Sequence, residues 1–425
     1  MSSRMLKWLI LASVLLIAFP VVAGASTSRL AGLGTQGDYI KDYTNIFGYP
    51  SCVPSVGNLV YGEFGAGAPL ADRAVGAVLG NLFEGKYGTF AFHIREYAPA
   101  LGLGSKTQSE LGSTLALGLG TEQFGTGFET YQPTFYGDPN DGSSGVEAFD
   151  LMWGKKLSSV TLGLRFNRSA FKHTFPSDPV RTYEGRGSFD RNIFGFGGGV
   201  GFDLNPNTKA EVGILYQSRT YKLEDVGSVE ESDGGGAFLL SGRMMWQWKP
   251  DVMIVPVVRI YSFDLAATNT PTGDPAEKFE ATLSGWQGGV AGNWTLNQND
   301  LFVTGVTFAS NVAENKTDKI KDTESIMPTL FASLETHVNS WLTLRFGGRK
   351  GVFYSTEAED NSGTPVTEEK YSYSPFQFFT GAGVKLGTLQ FDATLAQDFF
   401  QTPTYYALGN TSSPLFPKVT ATYTF

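Results

Sequence analysis

The chain ends in KVTATYTF, residues 418–425. Val419, Ala421, Tyr423 and Phe425 share one face of an extended segment, and Lys418, Thr420, Thr422 and Thr424 share the other. Successive side chains of a strand point to opposite faces, so such a segment reads as a wall with one apolar and one polar side. The same period recurs upstream. In SSVTLGLRFNR, Val160, Leu162, Leu164 and Phe166 oppose Thr161, Gly163, Arg165 and Asn167. In TKAEVGILYQSR, Ala210, Val212, Ile214 and Tyr216 oppose Lys209, Glu211, Gln217 and Arg219. WLTLRFGGRK sets Leu342, Leu344 and Phe346 against Thr343, Arg345 and Arg349, and TLQFDATL sets Leu389, Phe391, Ala393 and Leu395 against Gln390, Asp392 and Thr394. Each alternating run extends to roughly ten residues, whereas strands of soluble sandwiches cluster near five or six.

Composition and ends narrow the class. Residues 1–25 carry Arg4 and Lys7, an apolar run from Trp8 to Val22, and Ala23-Gly24-Ala25, the layout of a cleavable signal peptide. The leader takes two positive charges with it, so a formal net charge of −9 becomes −11. An acidic mature chain lacks the basic face of a nucleic-acid binder, and no nucleic-acid partner is expected. Beyond the leader no run reaches the 18 or so apolar residues of a spanning helix. The chain is rich in aromatics, with 18 Tyr and 33 Phe, and holds 52 Gly at only 17% charged residues. Cys52 is the single cysteine, which leaves no disulfide and no cysteine metal cluster.

The connections alternate in length. Short turns fall near residues 83–87, 155–158, 205–208, 249–251, 297–300, 337–340 and 386–388. Longer polar loops fall near 97–146, 169–188, 223–235, 265–279, 312–324, 356–370 and 398–412. Trp153, Trp246, Trp248, Trp294 and Trp341 flank the short turns, while Trp286 does not. Short–long alternation, an aromatic girdle and polar inner faces predict an all-β, transmembrane antiparallel β-barrel of about sixteen strands, with fourteen as the alternative. The predicted division is signal peptide 1–25, an N-terminal plug 26–56 and barrel 57–425. The last strand resembles the terminal strand of bacterial outer-membrane proteins. That resemblance implies a Gram-negative outer-membrane location and assembly by the barrel-assembly machinery through Phe425.

The polar faces define a lumen. His93, Arg95, Arg165, Arg243, Arg259, Arg345 and Arg349 point inward with Asp150, Glu211, Glu335 and Asp392, because lipid-facing charge at membrane depth costs several kcal/mol. Two readings follow: a cationic path for polar solutes, or Arg–acid pairs that brace strands and clasp a plug. His93, His173 and His337 lie in no nucleophile motif, so neither enzymatic activity nor a cofactor is expected. GDPNDGSSG at 137–145 spaces carboxylates loosely and lacks a complete calcium-loop motif. The acidic loops are solvated, with divalent bridges to lipopolysaccharide as the alternative.

Between leader and barrel lies YIKDYTNIFGYP, residues 39–50, too irregular for a strand and too apolar for a free tail. Folded into the lumen, it would bring Asp38 and Asp42 to inward arginines and fill space with Tyr39, Tyr43, Phe47 and Tyr49. Gly32-Leu33-Gly34 followed by DYTNIFGYP resembles the N-terminal hatch of the long-chain fatty-acid (FadL-type) outer-membrane transporters through Asp42, Thr44, Ile46, Phe47 and Pro50. Tyr49 stands where that family usually has Asn. The resemblance implies a hatch-gated barrel that passes hydrophobic small molecules, captured first on an apolar extracellular loop. The loop 97–146, with Leu111, Leu115 and Leu119, is the candidate for capture, or a cap over the barrel mouth. An open general-diffusion porin and a scaffold for a surface complex are the competing functions.

Overall fold

The computed structural model describes residues 27–65, 74–95, 147–174, 188–225, 228–297, 299–316, 320–359, 367–374, 376–396, 399–400, 403–404 and 414–425. The strands are β1 Leu59–Gly65, β2 Ala74–Leu79, β3 Thr89–Arg95, β4 Glu147–Leu157, β5 Val160–Thr174, β6 Ser188–Asn205, β7 Thr208–Asp225, β8 Ser228–Lys249 and β9 Val252–Pro271. They continue as β10 Glu277–Leu296, β11 Asp300–Asn315, β12 Ile320–His337, β13 Leu342–Glu359, β14 Thr367–Tyr373, β15 Phe376–Leu386, β16 Leu389–Thr394 and β17 Lys418–Thr424. Apart from β14 and β15, consecutive strands pair antiparallel, and β17 closes on β1, from Leu59 opposite Thr424 to Gly65 opposite Lys418. β14 and β15 follow one another along the same partner, β13, at Phe353–Glu359 and Leu342–Lys350 respectively. They form one wall position, so the barrel is 16 strands around.

The alternation determines which side faces lipid. Leu164, Phe196, Ile214, Val258, Ile260, Leu330 and Tyr423 are exposed on the outside, while Arg165, Glu211, Arg259, Glu335, Arg345, Lys418 and Thr420 are buried on the inside. Trp246, Trp248 and Trp341 lie exposed at the short-turn end, and Trp153 Nε1 donates to the Tyr87 carbonyl across the β2–β3 turn (2.6 Å). Trp286 faces outward on β10, away from that ring. Closure leaves no open edge in the hydrocarbon layer, and the apolar outer face supplies the lipid contact. The chain is a closed transmembrane β-barrel.

The wall is taller than the sequence predicts. β6 to β13 run 16 to 22 residues rather than ten. Most of the expected polar loops at 223–235, 265–279, 312–324 and 356–370 are therefore strand. Once β8 leaves the hydrocarbon layer neither face needs to be apolar. Glu230 and Glu231 stay in the backbone ladder to β9, which resumes at Gly235 after an irregularity at Asp233 and Gly234. Hydropathy alternation stops where lipid stops, but hydrogen-bonded pairing does not.

Residues 27–56 lie within the barrel as short helical pieces: α1 Thr27–Leu33, a 3₁₀ turn Gly37–Tyr39, α2 Asn45–Gly48, a second 3₁₀ turn Pro50–Cys52, and α3 Val53–Val56. Local side-chain bonds create the bends. Asp42 Oδ1 accepts from the Thr44 amide (2.9 Å) and hydroxyl (2.7 Å), and Asn45 Oδ1 accepts from the Asp42 amide (3.0 Å). These bonds offer the backbone an alternative to a continuous helix. Pro50 opens its turn, where the missing amide proton costs nothing. Gly57, at φ 83°, then reverses the chain into β1, a conformation that favours glycine.

Candidate functional site

The N-terminal segment meets the wall as two lobes. Residues 27–41, the first lobe, face β8 to β17. Arg29 forms a bidentate pair with Glu335 of β12, Nε to Oε2 at 2.6 Å and Nη2 to Oε1 at 2.8 Å. Arg345 of β13 donates to the same Glu335 (Nε to Oε2, 2.7 Å) and pairs with Asp392 of β16 (2.8 Å). Planar guanidiniums suit such forked contacts, and burial keeps the pairs from being screened. Asp38 pairs with Arg259 of β9. The lobe is further held by Ser333 Oγ donating to the Leu33 carbonyl (2.7 Å), Asn293 donating to the Tyr39 carbonyl (2.7 Å), and Ser28 bonded to Thr420 (2.8 Å). Leu33, Tyr39 and Ile40 pack in a cluster with Met245, Val255, Val257, Ala291, Val303 and Phe331.

Residues 42–56, the second lobe, face β1 to β8. Tyr43, Ile46, Phe47, Tyr49, Cys52 and Val53 form a second cluster with Leu59, Tyr61, Val78, Ala91 and Met152. Arg165 of β5 is held by Asp150 (Nε to Oδ1, 2.8 Å) and donates Nη1 to the Phe47 carbonyl (2.8 Å). Arg243 of β8 donates Nε to Glu211 (2.7 Å) and Nη1 to the Asp38 carbonyl (3.0 Å), and its guanidinium stacks over the Tyr49 ring at 4.5 Å. His93 Nδ1 and Tyr61 Oη are 2.6 Å apart, and the Phe47 ring meets His93 edge-on. Tyr43 donates to Glu63 (2.7 Å). Cys52 donates its thiol to Glu211 (3.2 Å), and burial pushes that thiol up to about 12.

Several predicted site residues thus converge on one interface: Asp38 with Arg259 and Arg243, Phe47 with Arg165 and His93, Tyr49 with Arg243, and Ile46 in the second cluster. Asp42 differs from expectation. Among the described residues it meets no wall arginine; its cationic neighbour is Arg29 of its own segment, Nη1 to Oδ2 at 3.6 Å, and Thr44 serves it locally. Arg349 lies beside Gln377 and over the Phe379 ring at 5.0 Å, on the wall rather than on the segment. Arg95 pairs by backbone with Ala74, and its side chain lies outside the described residues, as do Leu111, Leu115 and Leu119.

Sequence reading missed Arg29 and, above all, the wall glycines. A Cβ at Gly347 would sit 2.6 Å from the Leu33 carbonyl carbon and closer still to its oxygen. At Gly154 it would meet Pro54 Cδ at 2.6 Å, and at Gly199 the Ser51 amide at 2.9 Å. At Gly163 and Gly213 it would overlap Pro50 and the Gly48 carbonyl. These inward positions are bare so that the segment's backbone can touch the wall, a use of glycine that strand interiors otherwise disfavour. The available signal was their parity: each falls on the polar, inward face.

Two features complete the lumen. One step further from the short-turn end than Gly213, Ser241 and Arg259, an apolar row crosses three strands: Leu215 opposite Leu239, and Leu239 opposite Tyr261, all buried. At the short-turn end a cavity of about 860 Å³ opens against the segment, lined in part by Lys41, Cys52, Lys209, Met245, Gln247 and Met253.

No protein-family model matches the chain, and no curated protein matches its sequence. Solved structures do resemble it. The toluene transporter TodX of Pseudomonas putida aligns over 94% of this chain and 96% of its own, at 7% identity and TM-score 0.37. The ferric preacinetobactin receptor BauA of Acinetobacter baumannii aligns over 79% of this chain and 53% of its own, at 11% identity and TM-score 0.43. The alcaligin receptor FauA of Bordetella pertussis aligns over 79% and 60%, at 9% and 0.43. The chain spans about half the length of BauA and of the ferric-catecholate import receptor Fiu. These neighbours are outer-membrane transporters and receptors, and likeness at this level carries no information on substrate.

Proposed function

We propose that residues 26–56 form a hatch, and that the barrel passes hydrophobic small molecules across the outer membrane through a lumen this hatch gates. The observation that carries the reading is the fit of the segment: it touches the inner wall from β1 round to β17, through ion pairs, backbone-to-glycine contacts and two apolar clusters. A contact set of this extent supports a gated lumen over a general-diffusion pore. The apolar row Leu215, Leu239 and Tyr261 beside the hatch favours an apolar cargo over a hydrated one. The inward arginines then serve as clasps: Arg165, Arg243 and Arg259 each reach the segment, and Arg345 shares Glu335 with Arg29.

The test is single-channel conductance of the folded protein in a planar bilayer. Silence that is relieved by deleting residues 26–50 is the expected result. A large, steady conductance of the intact chain would show that the segment does not close the lumen, and a porin would be the better reading.

A further inference from the structure

We propose that the hatch opens by half: residues 27–41 swing about Lys41–Asp42 while residues 42–56 stay seated, clearing a route down the inner face of β8 and β9. The inference rests on the hatch-gated reading above and adds the route, the hinge and the gate pair.

The two lobes differ in how they can part from the wall. The second lobe continues directly into β1 and seats its backbone on Gly163, Gly199 and Gly213. Its apolar cluster with Leu59, Tyr61, Val78 and Met152 would be exposed if it left. The first lobe touches the wall by backbone at Gly347 and through the apolar cluster of Leu33, Tyr39 and Ile40, and its other fastenings are ion pairs and side-chain hydrogen bonds. Around its Asp38–Arg259 pair stand buried polar atoms with no hydrogen-bond partner among the described residues: Ser241 Oγ, Gln287 Oε1, Tyr39 Oη, and Arg259 Nε and Nη1. Ser241 and Gln287 lie directly across from Arg259 on the neighbouring strands. Buried polar groups without partners are a standing cost that parting the seam would relieve. Lys41, at the junction of the lobes, is exposed and faces the cavity at the short-turn end.

The same two strands line a continuous path. From the apolar row at Leu239 and Tyr261 the inward residues run through Ser241 and Arg259, Arg243 and Val257, Met245 and Val255, to Gln247 and Met253. Arg243, Met245, Gln247 and Met253 line the 860 Å³ cavity, so the path ends in space that already exists. What the departing lobe uncovers there, Met245, Val255 and Val257, is apolar surface suited to an apolar traveller. Asp38–Arg259 stands across the path and is its gate.

Two thiols in one protein test the route. Ser241→Cys places a reporter on β8, and native Cys52 reports the second lobe. Both are labelled with a small water-soluble methanethiosulfonate and quantified by peptide mass spectrometry, with heat-modifiable gel mobility confirming an intact barrel. Asp38→Asn, Arg259→Gln and deletion of residues 26–41 each should raise labelling at 241 at least tenfold and leave Cys52 unlabelled. A Ser28→Cys, Thr420→Cys cross-link, formed by oxidation, should cancel the rise caused by Asp38→Asn; the native oxygens are 2.8 Å apart. Labelling that rises equally at Cys52, or at neither thiol in any variant, overturns the half-opening. Influx of the apolar dye N-phenyl-1-naphthylamine into vesicles is measured alongside. If the 241 thiol opens as described and no dye crosses, the route stands and the hydrophobic-cargo reading fails. Dye influx with both thiols silent keeps that reading and removes this route.

Discussion

Adding one methyl group to the wall at Gly347 should unseat the hatch. Gly347 faces inward on β13, and its Cβ would lie 2.6 Å from the Leu33 carbonyl carbon. Ordinary contact requires a retreat of about 1 Å, which a close-packed interface resists at about 1–3 kcal/mol. The retreat also pulls the Leu33 carbonyl from Ser333 Oγ, now at 2.7 Å, for about 1 kcal/mol more. A total of about 3 kcal/mol shifts the ratio of seated to displaced first lobe roughly a hundredfold. Gly348→Ala is the control, because that glycine points outward and its Cβ would meet nothing nearer than 3.6 Å. The assay is planar-bilayer conductance, with the rate of tryptic cleavage after Lys41 as a second readout. Gly347→Ala should open channels and speed cleavage while Gly348→Ala does neither. If both variants are as silent and as slowly cut as the unmodified protein, backbone-to-glycine seating is not what holds the lobe.

Other expectations follow from the same geometry. Glu335→Gln leaves Arg29 and Arg345 facing each other without their shared carboxylate. Arg345 keeps Asp392 and Arg29 keeps Asp42 at 3.6 Å, so the loss falls below the about 3–5 kcal/mol of a fully stranded buried cation; conductance should still rise, and single-channel recording checks it. Glu211→Gln strands Arg243 and Lys209 instead, and should lower the temperature at which the barrel loses its compact gel mobility. Cys52, buried and with its thiol pushed up to about 12, should resist maleimide at pH 8 in the folded protein and react after denaturation, as mass spectrometry will show.

The barrel was legible from the alternation alone, since period two is a local property enforced by lipid on one side and a polar lumen on the other. Thr161, Gly163 and Arg165 are inward because their neighbours must face hydrocarbon, and that is legible residue by residue. Beyond the membrane the constraint vanishes, which is why the ends of β7 to β13 away from the short turns read as loops although their backbones remain paired. The site was legible only as a list of inward charges and an odd apolar segment. Which charge meets which was decided by closure: Arg29 reaches Glu335 across 306 residues, and Arg243 reaches the Asp38 carbonyl across 205. The wall glycines show the limit most clearly. Gly347 and Gly348 are adjacent and chemically identical, yet only one faces the hatch, and register around a closed sheet is what tells them apart.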